Sequence, residues 1–192
     1  MTLPAAYFES LYAAEPDPWA FASSDYEREK YAATLVALPR PHYARALEIG
    51  CSIGVLTRML AGRCDAVVAL DVAETALAAA RTRCADRPGV AFHRMAVPGD
   101  WPPGQFDLIL LSEVVYYLDQ ADVTRLIARL RQALAPEADV VLVHWTGETD
   151  YPLTGDAAAT LVIEGTADVL AVTRQERAAG YRLDVLRRVA AG

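Results

Sequence analysis

The sequence predicts an α/β protein built on a mostly parallel sheet, and three observations lead to this prediction. Short apolar runs alternate with helical patterns between residues 41 and 145, which is typical of parallel strands joined by crossover helices. The first of these runs ends in a glycine turn that opens a helix. Residues 169–176 and 181–189 form two strand patterns joined by a tight Ala-Ala-Gly turn, which predicts an antiparallel hairpin. Five parallel strands and this hairpin give a seven-stranded, Rossmann-like sheet.

Length and composition favour one domain. The chain has 192 residues, which is enough for one α/β domain with a real core, and it shows no repeat or linker. We expect an N-terminal helical segment over 1–40, a nucleotide-binding core over 41–145, and a C-terminal helix and hairpin over 146–192.

The charge balance narrows the expected partners. The formal net charge is −7, which argues against a nucleic-acid partner because such binding depends on clustered Lys and Arg. No apolar run reaches the length of a membrane span, and three cysteines without C-x-x-C spacing argue against a zinc site or a disulfide framework. We therefore expect a cytoplasmic protein without a bound metal, as a monomer or homodimer, that acts on a small molecule.

The N-terminal segment is rich in aromatic residues. Residues 7–12 place four aromatic or apolar side chains at helical spacing, whereas the two prolines within 15–19 exclude a helix there. Ser24 followed by Glu27 forms a capping-box pattern that opens a second helix, which Pro39 ends. These helices are expected to fold over a ligand as a lid; packing on the sheet edge is the alternative.

The glycine turn is the strongest local signal. A buried strand ends at Glu48 and runs into the turn Gly50–Gly54, so the unpaired N–H groups of a helix start meet at the end of a strand. A second strand pattern, 67–71, ends in Asp71, twenty-one residues after Gly50. A carboxylate at that place can accept both hydroxyl groups of a ribose.

The glycine spacing indicates which nucleotide binds. A dinucleotide fold needs glycine at the position of Ser52, where the backbone closes on a pyrophosphate. The acid-x-Gly-x-x-x-Gly form present here resembles motif I of the class I S-adenosylmethionine (SAM) methyltransferases. The resemblance implies SAM as the cofactor, whose ammonium group tolerates Glu48 nearby. A nicotinamide dehydrogenase is the alternative that the missing glycine disfavours.

The other elements follow the same alternation. They are expected as helix 73–84, strand 90–95, strand 106–112, a helix capped by Asp119 that carries Leu134, strand 140–144 and helix 157–163.

Several longer motifs point to a narrower family. The runs 17–19, 26–31, 47–54, 112–118 and 144–156 resemble the nodulation-S family, SAM-dependent N-methyltransferases whose named members methylate the free amine of a deacetylated chitooligosaccharide. The resemblance implies methyl transfer to an amine nitrogen of an amino sugar or related metabolite. An O-methyltransferase of a small metabolite and a SAM-binding protein without catalysis are the alternatives.

One position departs from the family pattern. The family tends to have Gly-Asp after the third strand, where the acid accepts from the adenine amine, whereas this chain has Met95-Ala96. Adenine recognition is therefore expected to rest on the backbone near Ala96 and Val97. The full set of expected cofactor-binding residues is Trp19, Glu48, Gly50, Cys51, Ser52, Gly54, Asp71, Val72, Ala96, Val97 and Ser112.

Two residues are candidates for catalysis. An amine must be neutral when it attacks, so a nearby base is useful. His144 ends the fifth strand and is expected to face the ligand crevice, where its ordinary pKa of about 6.5 would suit a base. Glu113, at the end of the fourth strand, is the second candidate. A structural histidine and a helix N-terminal acid are the respective alternatives.

The acceptor pocket is expected to be aromatic. Tyr116 and Tyr117 follow the fourth strand, and one of them is expected to face a cation, as is Trp19 above the cofactor. Trp145, Asp150 and Tyr151 complete the expected substrate-binding set.

Overall fold

A computed structural model describes residues 1–189 of the protein. The helices are α1 (Ala5–Ala14), α2 (Asp25–Ala37), α3 (Val55–Leu60), α4 (Glu74–Arg83), α5 (Gln120–Ala133) and α6 (Gly155–Thr166), with a short 3-10 turn at Val115–Tyr117. The strands are β1 (Tyr43–Ile49), β2 (Cys64–Asp71), β3 (Val90–Arg94), β4 (Phe106–Ser112), β5 (Leu134–Trp145), β6 (Leu170–Ala178) and β7 (Tyr181–Arg188).

All seven strands belong to one sheet. Their order is β3-β2-β1-β4-β5-β7-β6, in which the first five strands are mutually parallel. Strand β7 pairs antiparallel with both β5 and β6. The predicted seven-stranded, mostly parallel sheet with a C-terminal antiparallel hairpin is confirmed.

Helices cover both faces of this sheet. Alternate residues along a strand point to opposite faces. In β4, Ile109 and Leu111 belong to the core that α5 and α6 cover, whereas Leu108 and Leu110 belong to the core beneath α2 and α3. This burial on both sides explains why the central strands are continuous apolar runs rather than alternating patterns.

Some boundaries differ from the prediction. Strand β5 starts at Leu134, which the apolar stripe had assigned to the preceding helix, and it continues through Pro136. The ladder between β4 and β5 shifts register between Phe106 and Leu108, and Glu137 has a φ of 58°, so an irregularity accommodates the proline. Helix α6 is also longer than the predicted span 157–163.

The capping box at α2 forms only in part. The Ser24 hydroxyl accepts from the Glu27 N–H at 3.4 Å, as the pattern predicts. The Glu27 carboxylate, however, bonds to Lys30 instead of returning to the Ser24 N–H, which donates to the Ala20 carbonyl. None of the helices within residues 1–189 combines the length and apolar character needed to cross a bilayer.

Candidate functional site

A cavity of about 680 Å³ lies at the carboxyl ends of β1, β2, β4 and β5. Its walls come from the glycine turn, the segments after β3 and β4, and the N-terminal helices. All expected cofactor residues except Gly54 line it, as do Glu113, Tyr116, Tyr117, Trp145 and Tyr151. The topology therefore brings most of the predicted site residues to one place.

Asp71 ties the glycine turn to β2. One carboxylate oxygen accepts from the Ser52 N–H at 2.8 Å, and the other accepts from the Ala73 N–H at 2.9 Å. Burial raises the pKa of Asp71, while these backbone hydrogen bonds act in the opposite direction. Each oxygen keeps a further lone pair, so the carboxylate can hold the turn and still accept from a ligand hydroxyl.

The two glycines of the turn are required for different structural reasons. Gly50 has a φ of 81°, and a Cβ there would lie 3.3 Å from the Val114 Cβ, on the cavity side. Gly54 has a φ of 77°, and a Cβ there would lie 2.9 Å from the Ala80 Cβ of α4. Gly54 is not among the residues that line the cavity, and its expected contact with the cofactor stays a prediction. Its role is to let α3 approach α4 closely.

Glu48 lies beneath the turn and is almost wholly buried. Its Oε2 has no hydrogen-bond partner within the described part of the chain. Burial, reinforced by the charge of Asp71, raises the pKa of Glu48 to about 8, against the lowering effect of the Thr57 hydroxyl. A cation bound here would therefore favour loss of the Glu48 proton.

The wall after β3 contains a hydrogen-bonded turn. The Ala96 N–H donates to an Asp100 carboxylate oxygen at 3.0 Å, and the Ala96 carbonyl accepts from the Asp100 N–H at 3.0 Å. The Ala96 N–H is therefore engaged within the chain, which leaves other backbone groups near Ala96 and Val97 for the expected adenine contact. Ala96 and Val97 both line the cavity, so their contact with a ligand remains a prediction.

Helix α1 covers the cavity and is attached at both sides. The Tyr12 hydroxyl hydrogen-bonds to the Ser52 hydroxyl in the glycine turn. The Glu9 carboxylate accepts from the Glu74 N–H at 2.7 Å at the start of α4, where the helix dipole favours a negative charge. Tyr12 also packs edge-on against Trp19, with ring centroids 5.6 Å apart. The N-terminal segment thus lies over the cavity as the lid hypothesis requires.

A buried group of charges forms the wall on the β4 side. Lys30 of α2 donates to Glu27 Oε1 at 2.9 Å and to Glu113 Oε1 at 2.7 Å. We call Glu27, Lys30 and Glu113 the Glu–Lys–Glu triad. Glu113 Oε2 accepts from the Tyr116 hydroxyl and, at 2.9 Å, from the Trp145 N–H. Both oxygens of Glu113 are thus engaged by other groups, and Glu113 itself has a φ of 57°, a strained value often found at functional sites.

Aromatic rings enclose the space beside the triad. Tyr116 stacks on Tyr151 with ring centroids 5.4 Å apart, and Tyr117 meets Tyr151 edge-on at 4.7 Å. Trp145 is 39% exposed and meets the Tyr26 ring edge-on at 5.9 Å. The predicted aromatic character of this end of the cavity is thus present, with Tyr26 as an addition.

His144 does not face the cavity. Its side chain is fully buried (0% exposed), and it lies on the same sheet face as Val140 and Leu142, under the Tyr116 ring at 5.5 Å. Burial lowers the pKa of His144 to about 4. The expectation of a base in the crevice is wrong because strand alternation turns this side chain toward α6 instead.

Asp150 is also misplaced by the sequence analysis. Its side chain is exposed and does not line the cavity, although its neighbours Thr149 and Tyr151 do. The polar turn therefore contributes an aromatic ring to the site, and its acid points elsewhere.

Four residues, three of α2 and one of α1, were missed as site residues. Tyr26, Glu27 and Lys30 line the cavity, and Tyr12 bonds to the glycine turn. The sequence analysis assigned Glu27 to a capping box and therefore did not consider it as a site residue. A Glu and a Lys three apart on one helix also read as an ordinary surface pair, because nothing in the sequence says which helix face is buried.

Comparisons with known proteins show the family of the chain. The family model of Nodulation protein S (NodS) matches residues 9–180. Nodulation protein S of Bradyrhizobium diazoefficiens is 33% identical over 127 residues, 65% of this chain and 61% of that protein. The chain spans between 54% and 61% of the length of the curated relatives that it matches.

Solved structures give the same result. A candidate methyltransferase from Pseudomonas syringae is 39% identical, with a TM-score of 0.73 over 85% of this chain and 99% of that one. The N-methyltransferase NodS from Bradyrhizobium japonicum WM9, in complex with S-adenosyl-l-homocysteine (SAH), superposes with a TM-score of 0.83 over 96% of this chain and 98% of that one. At 24% identity this second likeness supports the fold alone.

Proposed function

The chain belongs to the nodulation protein S family, and from this premise we propose that it transfers a methyl group from SAM to the amine nitrogen of a small molecule. Amino sugars are the acceptor class that the family resemblance suggests. We further propose a cytoplasmic protein, as a monomer or homodimer, without a nucleic-acid partner.

The charge of the cavity carries this proposal. Among residues 1–189, five carboxyl groups and two cationic side chains line it; these are Glu27, Glu48, Asp71, Glu113 and Asp122 against Lys30 and Arg125. The acids stay in excess when Glu48, with its pKa raised to about 8, keeps its proton. An enclosed anionic site concentrates cationic ligands. SAM carries a sulfonium and an ammonium group, and a small amine acceptor is an ammonium ion at neutral pH. Both proposed ligands therefore match the site in charge, whereas a neutral hydroxyl acceptor gains nothing from it.

The two halves of the cavity suit different parts of the reaction. The glycine turn and Asp71 are available for the adenosine and amino-acid ends of SAM. Strand β4 is two strands from β2, about 10 Å along the sheet, so the acceptor would enter beside Glu113. Methyl transfer needs no covalent enzyme intermediate, and the protein contributes alignment and the exclusion of water.

Glu113 is better suited to positioning than to proton transfer. Its carboxylate already accepts from Lys30, the Tyr116 hydroxyl and the Trp145 N–H. These donors come from α2, the turn after β4 and the end of β5, so the carboxylate joins three parts of the wall. We therefore propose that Glu113 holds the acceptor wall together.

A direct test combines binding with turnover. Calorimetry with SAM, SAH and NAD should show binding of SAM and SAH only. Mass spectrometry after incubation with SAM should show methylation of glucosamine or a deacetylated chitooligosaccharide and none of glucose or the fully acetylated oligosaccharide. Binding of NAD alone would overturn the proposal, and methylation of glucose would replace it by O-methylation.

A further inference from the structure

The Glu–Lys–Glu triad is unbalanced in charge. Lys30 is 2% exposed and bonds to both carboxylates, so one ammonium faces two acids. With both carboxylates ionised, the triad carries one net negative charge away from bulk water. Buried charges in proteins are normally paired, because an unpaired one is costly. The triad thus has room for one further cation.

The unused capacity lies on Glu27. This residue is 7% exposed and lines the cavity, and its Oε1 accepts from Lys30. Its Oε2 has no partner with hydrogen-bond geometry among residues 1–189, although the Tyr31 hydroxyl lies near enough to lower the pKa of Glu27. Both oxygens of Glu113, by contrast, are engaged. A buried oxygen without a donor is unfavourable, so a ligand that donates an N–H there relieves a real cost. The Tyr26 hydroxyl, in another part of the cavity wall, likewise lacks a partner within the described residues.

Position favours the acceptor over the cofactor as the source of that cation. Glu113 links the triad to β4 and, through the Trp145 N–H, to the end of β5. Asp71 and the glycine turn lie at the ends of β2 and β1. These strands are on the opposite side of β4 from β5 in the sheet. The aromatic rings of Tyr26 and Trp145 border the triad, and such rings favour a cation further.

We propose that Glu27 binds the ammonium group of the methyl acceptor and that the net negative triad selects an ammonium over a hydroxyl. This inference rests on the proposed function, since it names the specificity residue of the same site. It adds Glu27, on a helix far from the glycine turn in sequence, to the substrate-binding residues. Burial raises the pKa of Glu27, which is consistent with a carboxylate that is incomplete without a cation.

The test uses a minimal pair of probes on the full-length, SAH-loaded protein. n-Propylammonium and n-propanol have nearly the same shape and differ in charge. Calorimetry or NMR titration should show that the wild type binds propylammonium more tightly than propanol. Glu27→Gln should weaken the binding of propylammonium roughly 10- to 100-fold, the range for a hydrogen bond to a charged group. It should leave the affinity for propanol unchanged. Glu29→Gln, at an exposed acid of the same helix, is the matched control and should change neither.

The possible outcomes separate the explanations. Equal binding of both probes by the wild type, or unchanged propylammonium binding in Glu27→Gln, would overturn the inference. A fall in SAM affinity with unchanged SAH and propylammonium affinity would also overturn it, because Glu27 would then serve the sulfonium. Glu27→Gln leaves the Lys30–Glu113 pair intact and should fold. If it does not fold, Glu27→Asp replaces it as the test variant and must weaken the binding of propylammonium several-fold. If the wild type does not bind SAH, the proposed function itself is refuted. This result is distinguishable because it is measured before any amine is added.

Discussion

The two halves of the cavity are built by different means. In the half at β1 and β2, the backbone of the glycine turn and the carboxylate of Asp71 form much of the wall, and the hydrogen bonds of Asp71 join residues at most 19 apart in sequence. In the half at β4 and β5, side chains form the wall, and the Lys30–Glu113 contact joins residues 83 apart. The first half therefore depends on local backbone geometry, and the second depends on a few charges that the tertiary fold brings together.

This difference predicts different sensitivities to mutation. A wall made of backbone should fail when a side chain intrudes or the turn loses its shape, and cofactor affinity should report the damage. A wall made of charges should fail when a charge is neutralised, and acceptor binding should report it. Glu27→Gln tests the wall made of charges, and the predictions below test the cofactor half and the limit of the acceptor wall, from the largest expected effect on activity to the smallest.

Gly50→Val should abolish SAM binding. The φ of 81° disfavours any β-branched residue, and a side chain would meet Val114 and intrude on the cavity. Calorimetry should detect no binding while the circular dichroism spectrum stays close to that of the parent. Gly62→Val, at an exposed glycine without a positive φ, is the control and should bind SAM normally. Normal binding by Gly50→Val would refute the assignment of the turn to the cofactor.

Asp71→Ala should weaken SAM binding by about 1–3 kcal/mol, which is the contribution expected of hydrogen bonds to a charged group. The loss has two sources, since the carboxylate supports the turn through Ser52 and is proposed to hold the ribose. Asp65→Ala removes an acid from the same strand, far from the cavity, and should leave the dissociation constant unchanged. If a folded Asp71→Ala binds SAM as tightly as the parent, Asp71 is not part of the cofactor site.

The same contrast explains what the sequence could and could not predict. Glu48, Gly50 and Asp71 were found because a strand, a turn and a second strand lie close together in sequence. Glu27 and Lys30 were missed because Glu113, which Lys30 contacts, follows β4 and is 83 residues away, and only the packed structure shows that this face of α2 is buried.

The error at His144 is of another kind, because the signal was present in the sequence. Val140, Leu142 and His144 have the same parity in β5, and the first two belong to the core beneath α5 and α6. Position at the end of a strand was given more weight than the side to which the residue points. Alternation decides whether a terminal side chain faces the crevice or the core.

The last prediction uses His144 to test where the acceptor wall ends. Because its imidazole is buried, outside the cavity and without a hydrogen-bond partner among residues 1–189, His144→Leu should leave turnover at neutral pH within a few-fold of the parent. A drop of about 10²-fold or more, the usual contribution of a general base, would instead return His144 to the mechanism. His93→Leu, at an exposed histidine, is the matched control.

The same variant should change the acid stability of the fold. The unfolded chain binds a proton at His144 near pH 6.5, whereas burial lowers the pKa in the folded chain to about 4. Between these values the unfolded state holds more protons, so stability rises with pH and is lost as the pH falls through this window. The shift corresponds to about 3 kcal/mol at most. Urea unfolding at pH 7 and pH 4.5 should therefore show a smaller loss for His144→Leu than for the parent, while His93→Leu follows the parent. Equal losses in all three proteins would mean that His144 gains its proton without unfolding, which would require that the imidazole reach water or a carboxylate such as Glu113.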